Sequence, residues 1–158
     1  MEKHLCKECR KELKEDHFEF FKKKYGLYRR KVCRKCYYEQ RNKVRSSTPY
    51  NYLKIVIQQL KSKRVKEGVE WDLTWEELCE VWDDQEAVCA LSGVLMTHKK
   101  GDGHQELNAT IDRVDGSGPY TKDNVQLVCH RANLIKHTMT EDDLYWWCRN
   151  IVTNKDKI

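Results

Sequence analysis

The 158-residue chain has only two prolines and seven glycines and no low-complexity tract, which argues against an extensively disordered polypeptide. Long apolar runs are missing too. Stretches such as Ile55-Val56-Ile57 fall far short of the ~20 residues needed to span a bilayer, so no membrane segment is expected. The start Met1-Glu2-Lys3-His4-Leu5-Cys6 lacks the apolar stretch behind a basic start that marks a secretory signal. A cytoplasmic setting is therefore expected, and eight cysteines in that setting read as metal ligands or buried thiols rather than disulfides. At this length the chain holds one domain or two small ones, which excludes a large multidomain enzyme.

Acid is scarce in the first part. Residues 1–66 hold 21 Lys+Arg against 7 Asp+Glu, net +14, whereas residues 67–158 hold 9 against 18, net −9. A net of +14 over 66 residues attracts a polyanion, and Tyr25, Tyr28, Tyr37 and Tyr38 interleave the basic run, which favours nucleic acid over a merely solvated face. An anionic membrane surface is the weaker competitor, because no amphipathic anchor stands out.

Two C-x2-C pairs, Cys6/Cys9 and Cys33/Cys36, are separated by 23 residues. Each such turn directs two sulfurs at one point, so the four thiolates suit a single structural Zn²⁺ in closed tetrahedral coordination, with no open position for chemistry. The long spacing predicts a small hairpin around Gly26. The zinc would then scaffold a basic loop, with Arg29, Arg30, Lys31, Arg34 and Lys35 beside the second pair as DNA-binding candidates.

Further along, Tyr37 to about Arg45 is helix-compatible, and Thr48-Pro49 starts a second helix that runs to about Lys66, where Gly68 stops it. Residues 69–73 alternate like a short strand, and Thr74 with Glu77 forms a capping box for a helix to about Asp84, with Cys79 on its core side. Residues 109–115 and 125–129 read as strands flanking a loop. A helix follows from about His130 to His137, and another opens at Thr140, where Trp146, Trp147 and Cys148 are expected to face the core. The organisation expected is α+β: a small zinc-ribbon-like module over 1–45, a basic helical linker over 46–68, and a C-terminal ββα domain over 69–158.

From Asp72-Leu73-Thr74 and Glu77-Leu78, through Cys89-Ala90-Leu91-Ser92-Gly93 and Ile111-Asp112-Arg113-Val114-Asp115, to Asn124-Val125-Gln126-Leu127-Val128-Cys129 and Asn133-Leu134-Ile135-Lys136, the sequence resembles the HNH endonucleases. These are the ββα-metal, or His-Me finger, nucleases of phages, homing elements and restriction systems, and a zinc module ahead of the nuclease is similar to small phage members. The resemblance implies a ββα-metal nuclease domain and a metal-dependent DNA endonuclease or nicking enzyme. It implies a catalytic Mg²⁺ or Mn²⁺ held by Asp112, Asn133 and His137, with Asn124 bracing the loop. The implied partner is double-stranded DNA, inside a bacterial host if phage-encoded. Oligomeric state is left open, with a monomer favoured.

Two departures accompany it. Arg113 stands where the family keeps the His that deprotonates water; a guanidinium cannot accept that proton but can grip the scissile phosphate. The base is left open among a metal-activated water, His104 and His130. Where many members clamp a second zinc, this chain reads Cys89-Ala90-Leu91-Ser92 and Cys129-His130-Arg131-Ala132, so no zinc is expected there and Cys89 and Cys129 become buried thiols. The competing function is a DNA-binding protein whose degenerate HNH unit no longer cuts.

Overall fold

The computed structural model describes residues 2–101 and 105–155. The fold is α+β, built as two compact units, Met1–Arg45 and Ser46–Ile158.

In the first unit, β1 (Lys3–Leu5) and β2 (Glu12–Lys14) form an antiparallel pair with His4 opposite Leu13. The turn joining them carries Cys6 and Cys9. It is closed by the Arg10 amide on the Cys6 carbonyl (3.0 Å) and by Arg10 itself at φ +58°. β3 (Phe20–Lys23) and β4 (Gly26–Arg29) make the expected hairpin, with Lys24-Tyr25 at the turn and Gly26 at φ +137°, a conformation that favours glycine. α1 (Arg34–Arg45) starts directly after Cys33 and places Cys36 in its first turn. Besides the thiols, Phe18 is the fully buried side chain here, with Leu13 and Val32 packed against it. So small a core leaves the stability of this unit to whatever joins the sulfurs.

The second unit opens with α2 (Pro49–Lys66), capped by Thr48 Oγ1, which accepts from the Asn51 amide at 3.1 Å. Residues 46–68, read from sequence as a basic helical linker, are thus mostly α2, and its Tyr52, Leu53 and Ile57 lie in the core of this unit. Gly68 follows at φ +79°. Residues 69–73 differ from expectation. They form a single bridge, Trp71 to Tyr120, because the segment opposite offers one paired residue before it turns away. The Asp72 and Leu73 amides both donate to the Tyr120 carbonyl (2.9 Å each), and the Trp71 and Tyr120 rings stack at 4.4 Å.

Thr74 and Glu77 form the capping box of α3 (Trp75–Asp84), on which Leu78, Val81 and Trp82 are buried and Cys79 is half-buried. β5 (Ala109–Arg113) pairs antiparallel with β6 (Val125–Cys129), Asp112 opposite Gln126, and α4 (His130–Lys136) follows at once. Cys89 and Cys129 are buried, and the Cys129 amide donates to Cys89 Sγ at 3.1 Å.

α5 (Glu141–Lys155) corrects the sequence reading. Leu144 is buried, but Trp146 is 55% and Trp147 53% exposed, Cys148 is exposed, and so is each residue from Tyr145 to Lys155. Tyr145 still reaches the body through its hydroxyl, which donates to the Leu91 carbonyl at 3.1 Å, whereas Trp146 and Trp147 stay exposed and add nothing to the core. No described helix is long and apolar enough to cross a membrane.

Candidate functional site

The thiols of Cys6, Cys9, Cys33 and Cys36 lie within 4.8 Å of one another. Zinc with Zn–S bonds of ~2.3 Å needs sulfurs roughly 3.8 Å apart, so this cluster is ready for one tetrahedral ion. Burial opposes ionisation of Cys6, but N–H donors on Cys33, Cys9 and Glu8 outweigh it and lower the thiol to about 6. Cys36 is pushed up to about 12 by burial and by the neighbouring Cys33 and Cys9 sulfurs. Four sulfurs this close cannot all ionise without a cation among them. The donor set and its amide hydrogen bonds fit a structural zinc.

The basic residues around this cluster divide. Lys31, Arg34 and Lys35 are exposed. Arg29 and Arg30 are half-buried: the Arg29 guanidinium lies 4.8 Å from the Phe18 ring centre, and Arg30 pairs with Glu19 (2.9 Å) and stacks on Tyr37 at 3.9 Å. These two therefore brace the module more than they face solvent. Exposed Lys22, Lys23 and Lys24 on the β3–β4 hairpin, beside an 82% exposed Tyr25, are cations the sequence reading left out. Their signal was present as three consecutive lysines before a turn.

The second unit contains a cleft of about 1050 Å³ between α2, the β5–β6 loop and α4. Asp112, Arg113, Asn133, His130 and His137 all line it. Asn124 stands behind it and clasps the loop: its Oδ1 accepts from the Asp115 amide (2.9 Å), and its Nδ2 donates to the carbonyls of Asp115 (3.1 Å) and Pro119 (2.8 Å). Asp115 is held below its usual range by the Ser117 hydroxyl and amide, the Gly118 amide and the Arg113 charge.

Asp112 is 9% exposed at the end of β5. Its Oδ2 accepts from Lys136 Nζ at 2.6 Å and from Gln126 Nε2 at 3.0 Å. Lys136 Nζ also donates to the Arg113 carbonyl at 2.7 Å. The Arg113 guanidinium donates to the Gly118 carbonyl (2.5 Å) and packs 4.8 Å from the Tyr120 ring centre, so its position is fixed while other N–H groups remain for a ligand.

Asn133 donates through Nδ2 to Thr110 Oγ1 (3.0 Å) and to the Ile111 carbonyl (3.4 Å). His137 lies past the end of α4 with φ +49°, its amide still bonded to the Asn133 carbonyl at 2.9 Å, and its exposed ring meets Thr138 Oγ1 at 3.3 Å. His104 lies outside the described residues. Asp112, Asn133 and His137 all line the cleft and offer oxygen and nitrogen donors of the kind a divalent cation takes, with the Lys136 ammonium on Asp112 Oδ2.

Sequence reasoning missed Lys136 and Gln126, and also Lys63, Arg64, Lys99 and Lys100, which line the cleft and add positive charge to it. Nothing in the Ile135-Lys136-His137 run marks a buried lysine. The α2 cations Lys63 and Arg64, which pair with Glu67 at 4.0 and 2.8 Å, were legible as a basic helix end, but not their placement in the cleft that Asp112 lines.

No protein-family model matches the chain, and no curated protein matches its sequence. Among solved structures the chain is similar to the rare-cutting HNH restriction endonuclease PacI, at 19% identity and a TM-score of 0.47, over 96% of this chain and 94% of that one.

Proposed function

We propose that the chain is a metal-dependent DNA endonuclease or nicking enzyme of the HNH type, whose zinc-held basic module binds duplex DNA. The observation that carries this reading is the β5–β6–α4 unit. Its loop is braced by Asn124, and one cleft gathers Asp112, Arg113, Asn133 and His137 with the cations Lys63, Arg64, Lys99 and Lys100. Six lysine and arginine side chains, Lys63, Arg64, Lys99, Lys100, Arg113 and Lys136, line the cleft against the two carboxylates of Asp112 and Asp115, a balance that suits a phosphodiester backbone better than a neutral small molecule.

In this reading Asp112 and Asn133, with His137, hold a Mg²⁺ or Mn²⁺ ion, which when bound neutralises charge on the leaving oxygen. Arg113, anchored on Gly118 and Tyr120, directs its free N–H groups at the scissile phosphate. With His137 assigned to the ion, His130 is the other described imidazole lining the cleft, and it can take the proton of the attacking water. Lys31, Arg34 and Lys35, with the hairpin lysines 22–24, bind the DNA backbone from the zinc module. The zinc itself holds that module in shape.

A second reading, a DNA-binding protein that does not cut, is favoured by Arg113 at the base position and by the Lys136 ammonium on Asp112. Incubation of the zinc-loaded protein with supercoiled plasmid and Mg²⁺ or Mn²⁺ separates the two. Relaxed or linear product that disappears with chelator is expected. Duplex binding without any cutting across many sequences overturns the enzyme reading in favour of the second.

A further inference from the structure

Lys136 is 3% exposed, and lysine is almost never buried this deeply without a partner. Its ammonium is shared between Asp112 Oδ2 at 2.6 Å and the Arg113 carbonyl at 2.7 Å. It thereby ties the α4 terminus to both residues at the end of β5. The same carboxylate oxygen takes Gln126 Nε2 at 3.0 Å, and that nitrogen also donates to Glu141 Oε1 at 2.6 Å. The charged groups gathered around the carboxylate are thus Lys136 from α4, Arg113 from β5 and Glu141 from α5. Of these three, Lys136 is the one hydrogen-bonded to it.

We propose that Lys136 is the built-in counter-ion of Asp112: it competes with a divalent cation for this carboxylate and thereby sets how tightly such a cation is held. The proposal deepens the nuclease reading and rests on it for the assignment of Asp112 as the cation's ligand. A buried carboxylate stripped of its partner is strongly unfavourable, so some positive charge must stand beside it in the folded chain. With Lys136 present, that requirement is met by the protein itself, and the fold does not depend on a cation in the cleft. The same ammonium repels an arriving dication and occupies one of the two carboxylate oxygens, which leaves Oδ1 for monodentate binding. Lys136 acts through Asp112 and touches no reacting atom; it is a positioning residue.

The test uses the full zinc-loaded chain. Mn²⁺ binding is followed by the electron paramagnetic resonance signal of free Mn²⁺, and thermal unfolding is measured with and without Mn²⁺. Lys136→Met should unfold at lower temperature than wild type without Mn²⁺, recover more than wild type when Mn²⁺ is added, and bind Mn²⁺ about tenfold or more tightly than wild type. Lys136→Arg, which keeps the charge, should respond to Mn²⁺ as wild type does. The double variant Asp112→Asn with Lys136→Met removes both charges and should fold with no response to Mn²⁺.

The proposal is overturned if Lys136→Met binds Mn²⁺ no more tightly than wild type, or if it stays unfolded with Mn²⁺ present. If wild type neither binds Mn²⁺ nor cuts DNA while Lys136→Met gains a Mn²⁺ site, the counter-ion role stands and the metal-dependent nuclease reading falls. If wild type cuts with Mn²⁺ and Lys136→Met keeps wild-type affinity, the nuclease reading stands and the counter-ion role falls.

Discussion

Asn124 holds Asp115 by both of its main-chain polar groups, accepting from the amide at 2.9 Å and donating to the carbonyl at 3.1 Å. This clasp sets the path of the loop that carries the Gly118 carbonyl on which Arg113 rests. A Cβ at Gly118 would stand 2.8 Å from Asn124 Nδ2, so the clasp also requires a glycine there. Asn124→Ala should destabilise the second unit by about 1–3 kcal/mol, since it leaves main-chain groups of the loop without partners. Gly118→Ala should displace the same amide and cause a similar loss. Thermal unfolding of both single variants and the double variant checks this. Losses that simply add would show that the two changes do not act on one clasp.

Removal of metal should unfold the first unit and leave the second folded, because the thiol cluster is most of the core in one and absent from the other. Elemental analysis should find one zinc per chain, and Cys33→Ser should lose it. Metal content unchanged by that substitution would remove zinc from Cys6, Cys9, Cys33 and Cys36.

The exposed cations of the zinc module should carry the salt dependence of DNA binding. Neutralising Lys31, Arg34 and Lys35 together should weaken binding to all duplex sequences and flatten the slope of log affinity against log salt by roughly 0.9 for each phosphate no longer neutralised. Neutralising Arg29 and Arg30 should change the slope less and lower stability more, since one packs on Phe18 and the other on Glu19 and Tyr37. A titration series from low to moderate salt gives both numbers, and an unchanged slope for the first set would show that face to be merely solvated.

Asp112→Ala should cut cleavage by orders of magnitude, because a bound cation's charge stabilisation contributes several kcal/mol and each ~1.4 kcal/mol is tenfold in rate. DNA binding should persist or tighten, because a negative charge leaves the cleft. The change also strands the Lys136 ammonium, so Asp112→Asn is the gentler companion and should show the same kinetic loss with a smaller drop in unfolding temperature. Wild-type cutting by Asp112→Asn would refute the site assignment.

Trp147→Ala on the exposed part of α5 should change stability by no more than about 0.5 kcal/mol, as surface substitutions usually do. Leu144→Ala, one turn earlier and 5% exposed, should destabilise by about 2–5 kcal/mol. Denaturant unfolding of the two variants side by side measures the contrast, and a large loss from Trp147→Ala would place that ring in a packed interface.

What the sequence determined alone is whatever is decided within a few residues along the chain. Thr48 before Pro49, the Thr74/Glu77 capping box and Gly26 at a hairpin act on neighbours a few positions away, so the elements stand where those signals put them. The paired C-x2-C turns belong to the same class, because each turn aims its own two sulfurs. Burial, in contrast, depends on which element covers which, and no local pattern carries that information. Trp146 and Trp147 of α5 look like a core stripe, yet both are more than half exposed. Residues 69–73 alternate like a strand, yet the partner segment supplies a single residue. Lys136 reads as an ordinary helix-end cation. It becomes the partner of Asp112 only because α4 folds back on β5 and brings together two residues 24 positions apart, where a charge removed from water must find its opposite.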